Sequence, residues 1–197
     1  MNFFLKKILY FIDDRIFRVI VKGLYPQYKR PRKGYTPNYR VLLSYGIRQK
    51  IFRINGRVPW PVDFRSKVIG WQFIEKGICC DPGDNMGQYI NAYGGLKMGN
   101  NIEMGPNTVI TTTNHDKYDV RKIGYKKGVT IGNNVWIGAN CTITAGVVIG
   151  NNVTIGAGCV IRKDIPDNSV VFQTENSLQI VEKTKPYEWD CEQEILN

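Results

Sequence analysis

The chain has 197 residues, 43% of them hydrophobic, with 27 Lys and Arg against 17 Asp and Glu for a formal net charge of +10. That length holds one ordinary globular domain with an appended segment, not several independent domains. Twenty glycines without a three-residue period exclude collagen, and eight Phe, eleven Tyr and four Trp argue against disorder.

At the amino terminus, Lys6-Lys7 and Asp13-Asp14 cut the apolar run too short for a secretory signal, and no uninterrupted apolar stretch of about 18 residues suggests a transmembrane helix. Residues 3–24 predict an amphipathic helix, because Leu5, Ile8, Leu9, Ile12, Ile16, Val19 and Ile20 recur at three- and four-residue spacing with charges between them. Such a face packs on protein or lies weakly on a membrane surface through residues 1–24. Residues 25–70 are basic and aromatic, and Pro26, Pro31, Pro37, Pro59 and Pro61 are expected to break any long regular element. Residues 1–70 hold 16 basic and 3 acidic side chains, against 11 and 14 in residues 71–197, so a bulk anionic partner would meet the first third. No nucleic-acid motif accompanies this charge, and nucleic acid is not an expected partner.

Five cysteines are an odd number without a metal spacing and read as thiols of a reducing, cytoplasmic protein, peripheral to the membrane if the first helix docks there. The single histidine, His115, excludes two or three imidazoles around one zinc, and no metal is expected.

From residue 90 the chain repeats every six residues. Hexads begin at Ile90, Leu96, Ile102 and Thr108, then at Tyr125, Ile131, Ile137, Ile143, Ile149, Ile155 and Ile161, with a small apolar fifth position that includes Cys141 and Cys159. Six residues are 1.67 helical turns, so a helix would rotate these positions around its surface. One short strand and one corner per hexad instead give a three-sided coil of about 18 residues, stacked as parallel strands. Cys141 and Cys159 then read as small buried hydrophobes. The chain divides into a helical and irregular basic segment over 1–70, a β-helical domain over 71–171 and a tail over 172–197. Eleven residues, Asn114 to Gly124, interrupt the repeat and predict a protruding loop with His115 at its root. A neutral imidazole there is suited to take a proton near neutral pH.

The hexads Ile131-Gly-Asn-Asn-Val-Trp-Ile-Gly-Ala-Asn-Cys and Ile149-Gly-Asn-Asn-Val-Thr-Ile-Gly-Ala-Gly-Cys resemble those of the hexapeptide-repeat acyltransferases, in particular the galactoside, maltose and nodulation-type sugar O-acetyltransferases. The likeness covers about residues 78–171. It implies a mainly β fold, a left-handed parallel β-helix, which is an exception to the usual right-handed crossover. It also implies a homotrimer with acetyl-CoA and a sugar acceptor in clefts between neighbouring prisms. On this resemblance His115 is the general base, and Asn91, Asn85, Asn114 and Asp116, with Asp84 and Met86, shape the acceptor side. Trp136 borders the cleft, Gly138, Ala139 and Ala157 admit the thioester and its pantetheine arm, and Arg162 and Lys163 meet the nucleotide end. After Val171 the chain departs from the family's usual Gly-x-Pro turn, and its basic amino-terminal segment differs from the family's short helical cap.

The function expected is acetyl-CoA-dependent O-acetylation of a sugar hydroxyl, in surface or capsular glycan biosynthesis. N-acetylation of a nucleotide-linked amino sugar, chloramphenicol-type acceptors and a non-catalytic trimeric scaffold stay open as alternatives.

Overall fold

In a hexad strand such as Val135-Trp-Ile, the fifth and first repeat positions lie two residues apart and so face the same way. The computed structural model describes residues 3–30, 36–116, 118, 119 and 121–173, and in it Val135 and Ile137 are buried while Trp136 is exposed. These strands build three parallel sheets around one core. The first face holds β1 (Lys67–Ile69), β3 (Tyr89–Asn91), β6 (Val109–Thr111), β11 (Thr142–Ile143) and β14 (Val160–Ile161). The second holds β2 (Ile74–Lys76), β4 (Leu96–Met98), β9 (Val129–Ile131) and β12 (Val148–Ile149), extended by a bridge from Ile149 to Ile165. The third holds β5 (Ile102–Met104), β10 (Val135–Ile137), β13 (Val153–Ile155) and β15 (Val170–Val171).

Ile90, Ile110, Ile143 and Ile161 stand in one register column on the first face, and all four are buried. Burying each such side chain contributes about 1.5–3 kcal/mol. Cys141 and Cys159 are buried free thiols at valine places in the core, as their repeat position predicts.

Ile143 and Ile161 lie one plain coil apart, whereas the coil from Ile110 to Ile143 carries the whole insertion. That insertion is longer than the stretch expected from Asn114 to Gly124: it runs over 113–127 and is closed at its base where Lys127 N donates to Thr112 O at 3.0 Å. Tyr125 does not begin a hexad. It lies in β8 (Ile123–Lys126), which pairs antiparallel with β7 (Thr113–His115), so the backbone of this stretch bonds within a hairpin and leaves the coil. The coil also starts earlier than expected: β1 pairs with β3 from Lys67, so a boundary after residue 70 cuts the first coil.

At the corner between the second and third faces, Asn101, Asn134, Asn152 and Asn168 all have φ between 54° and 58°. Asparagine visits this left-handed region more readily than other residues with a Cβ. Its amide also bonds along the column, from Asn101 Nδ2 to Asn134 Oδ1 and from Asn152 Nδ2 to Asn168 Oδ1, each at 2.9 Å.

The amino-terminal helix forms as expected, through α1 (Phe3–Ile12), a π-helical stretch at Asp13–Phe17 and α2 (Arg18–Leu24). A second helix lies in the segment expected to be irregular: α3 (Asn38–Val41) continues as a π-helical stretch over Leu42–Ile51. Pro37 precedes this helix, where its missing N–H costs nothing. Asp13 caps it from the first helix, accepting from Asn38 N at 3.1 Å and Tyr39 N at 2.8 Å.

The cap is joined to the first coils by a buried ion network. Asp81, its side chain 1% exposed, lies between Arg30 at 2.8 Å and Lys76 at 2.9 Å, and Arg30 also reaches Asp84 and Glu103, each at 2.9 Å. Three carboxylates thus share two cations. Burial, and next the Asp81 charge, push the Asp84 carboxyl up to about 7 despite Arg30.

Two outcomes are expected. A Cβ at Gly132 would stand 2.6 Å from Gly150 O in the next coil. Gly132→Ala should therefore lower the urea-unfolding free energy by about 1–3 kcal/mol, because a backbone atom cannot step aside. A raised folded-state carboxyl favours folding below its unfolded pKa and loses that contribution as pH rises through about 7. Wild-type stability should fall between pH 5 and 8, and Asp84→Asn should flatten that fall in urea titrations at each pH; an unchanged slope would refute the assignment.

Candidate active site at the corners of the prism

The inserted stretch leaves the prism after β6, at the corner between the first and second faces. Asn91, directly above Thr111 on the first face, fixes its root: its Nδ2 donates to Thr113 Oγ1 at 3.0 Å, and its Oδ1 accepts from Tyr93 N at 3.3 Å. Asn91 is thus a corner residue that also holds the hairpin.

His115 ends β7, opposite Ile123, where the register shifts, and its ring is exposed. Among the described residues the ring has no hydrogen-bond partner within its own chain. Asn114 lies exposed beside it. Asp116, expected on the acceptor side, is committed to the loop: Oδ1 accepts from Tyr118 N at 2.8 Å and Asp119 N at 3.1 Å, while its own N–H donates to Lys122 O at 2.9 Å. That is the turn-forming use of an aspartate, and it sets the hairpin's shape. At the tip, hydrogen bonds from Arg121 hold the Asp119 carboxyl below its ordinary range.

A second group gathers at the corner between the third and first faces. Here Gly105, Gly138 and Gly156 stack, each followed in its own tier by Pro106, Ala139 and Ala157 respectively; Asn140 N donates to Pro106 O and Gly158 N to Ala139 O, each at 2.9 Å. A Cβ at Gly138 would stand 2.5 Å from Ala157 N, so the tiers touch through their main chains. Trp136 stands on the third face just before this corner, 52% exposed.

The residues singled out therefore divide. His115, Asn91, Asn114 and Asp116 share the first–second corner, and so do Arg162 and Lys163, exposed in the last coil and expected at the nucleotide end of the cofactor. Asn85 belongs to neither the hairpin nor its neighbourhood: its Nδ2 donates to Met104 O at 3.3 Å near the third–first corner. Asp84 serves the ion network joining cap to coil. One full face, six residues or roughly 15–20 Å, separates the two corners within a chain.

A cleft of about 380 Å³ escaped the sequence reading. It is lined by Arg53, Asn55, Gly56, Arg57 and Trp71, among others. Two residues beyond Trp71, the Phe73 ring lies 6.2 Å from that of Tyr93, centroid to centroid, and Lys126 Nζ of β8 lies 5.8 Å from the Phe73 ring. Nothing in the spacing of residues 53–73 signals this assembly, since it depends on the cap folding back onto the first coil.

Residues 128–163 match the bacterial transferase hexapeptide family, six repeats. The repeat of this chain is similar to that family's. Its fold is the left-handed parallel β-helix expected from the resemblance. The chain is 49% identical over 80 residues to a galactoside O-acetyltransferase of Lactococcus lactis, covering 39% of each chain. It is 46% identical over 78 residues to a galactoside O-acetyltransferase of Escherichia coli, covering 38% of each. The match thus spans about two fifths of the length of these curated relatives. Among solved structures, a maltose O-acetyltransferase from Clostridium difficile is 27% identical, with 89% of this chain and 91% of that chain covered at a TM-score of 0.47.

Proposed function

We propose that the protein is an acetyl-CoA-dependent O-acetyltransferase acting on a sugar hydroxyl, in surface or capsular glycan biosynthesis, and that it works as a homotrimer. The observation that carries this reading is the placement of His115 on a rooted hairpin at one corner, with a stacked column of small residues at the other. The repeat's similarity to galactoside O-acetyltransferases supports the acetyl donor and the sugar acceptor.

The two corners are too far apart in one chain for a single transfer step. They meet when the first–second corner of one prism faces the third–first corner of the next, and a closed ring of three makes three such sites. The imidazole of His115 then accepts the proton of the acceptor hydroxyl as its oxygen attacks the thioester carbonyl carbon. Gly138 N–H is already donated to Ile155 O at 2.8 Å, and the next N–H along the chain, that of Ala139, is the donor this reading assigns to the tetrahedral oxyanion. Collapse breaks the carbon–sulfur bond, and the imidazolium returns the proton to the departing thiolate. Trp136 walls the cleft, and Arg162 and Lys163 neutralise phosphates at the nucleotide end.

Release of free CoA from acetyl-CoA is the test, over a panel of sugar hydroxyl, amino-sugar and chloramphenicol acceptors. Turnover with a sugar hydroxyl should fall about 10²–10⁴-fold in His115→Ala, with CoA binding retained. Undiminished turnover in that variant would sink the mechanism, and turnover confined to amines would replace the acceptor. Co-expression of His115→Ala with Ala139→Asp, each inactive alone, should restore up to about a quarter of wild-type activity, because mixed rings pair an intact hairpin with an intact corner. No recovery in purified mixed trimers would place both groups in one chain's site.

A further inference from the structure

The apolar face of the first helix has no cover among the described residues. Leu9, Phe11, Ile16 and Val19 are 48, 63, 53 and 66% exposed, and of α2 only Val21 is buried. The second helix adds Tyr39, Leu43, Ile47 and Ile51, which recur every four residues along one side and are all exposed, and Phe52 follows at 68%. An apolar hollow of about 460 Å³, lined by Leu9, Phe17, Tyr39, Leu42 and Leu43, joins the two stripes into one surface. Isolated exposed apolar side chains are ordinary on a protein; a contiguous field across two helices marks an interaction face.

Its charges have one sign. Arg15, Lys22, Arg40, Arg48 and Arg53 are exposed on or beside the two helices. The acidic residues of these helices are turned to internal use: Asp13 caps the second helix, and Asp14 pairs with Arg18 at 3.3 Å. The cap is fixed to the first-coil end of the prism by Arg30, by Tyr45 Oη donating to Asp84 O at 3.1 Å and by Cys79 N donating to Lys29 O at 2.9 Å.

We propose that this two-helix face docks the protein in the plane of an anionic lipid surface. Apolar side chains enter the boundary between headgroups and acyl chains while the flanking arginines meet lipid phosphates. A polyanion without acyl chains would leave the stripes in water, and a second copy would bring the same positive charge against them. The contact is interfacial, since no helix among the described residues is long and apolar enough to cross a membrane. It is wider than the contact through residues 1–24 expected from the sequence, because the second helix supplies half of the face. In a trimer of parallel prisms three such caps lie at one end, and their attachments reinforce one another.

The full chain, tested by co-sedimentation, should bind vesicles of phosphatidylcholine with phosphatidylglycerol, bind phosphatidylcholine alone far less, and release with salt. Leu43→Glu/Ile47→Glu should lower partitioning about tenfold or more, and Arg40→Gln/Arg48→Gln should weaken it mainly at low salt. These side chains are exposed, so light scattering should give every variant the wild-type mass. Absence of binding to anionic vesicles, or equal binding by the apolar variant, would overturn the proposal. A loss of oligomeric mass in Leu43→Glu/Ile47→Glu would overturn it too, by assigning the face to a second copy.

Discussion

Each coil must return its backbone to the same place directly over the last, and nearly every choice in residues 67–171 answers to that demand. Parallel strands of two or three residues are too short to be stable alone. They persist because every inward side chain rests on its equivalent above and below, as Ile143 does between Ile110 and Ile161. The corners bear the matching cost, since the chain turns there without a regular ladder. Asparagine settles it twice: its backbone tolerates positive φ, and its side-chain amide satisfies the neighbouring tier. Asn151 Oδ1 accepts from Asn133 N at 2.8 Å, and Asp167 Oδ1 accepts from Asn151 N at 2.7 Å.

This dependence on stacking explains what was legible in the sequence. A constraint repeated every six residues writes itself as a period, so strands β9 to β14, the buried cysteines and the exposure of Trp136 follow from Ile131 to Ile161 alone. Where the stacking demand lapses, the period fails as a guide. Tyr125 occupies a place that counts as a hexad start, yet its backbone pairs with Asn114 in the hairpin. The hexad signal fades in the first coil for a related reason. Ile74 and Leu96 are register partners although their separation is not a multiple of six, so the extra length over one plain coil erases the hexad signal.

The candidate site was legible only in part. His115 stood out by being the sole histidine and by interrupting a period. Asp116 lies beside His115 but has its carboxylate committed to the loop's own backbone, and Asn85 bonds to Met104 O near the other corner, which no spacing discloses. The cap is less legible still, because its order rests on long-range polar contacts. Gln49, 1% exposed, donates Nε2 to Trp60 O at 2.9 Å and accepts from Val62 N at 3.0 Å. Such a buried amide holds two segments together and carries no periodicity.

The long coil between Ile110 and Ile143 shows that the prism keeps its register when a hairpin is threaded out of one corner and back. Closing such a loop costs little more for each further residue, since the entropy grows only with the logarithm of length, about 0.6 kcal/mol per doubling. The hairpin is therefore an exchangeable part on a fixed frame. Its length and tip can be recut, by evolution or by design, while the buried isoleucine columns stay as they are.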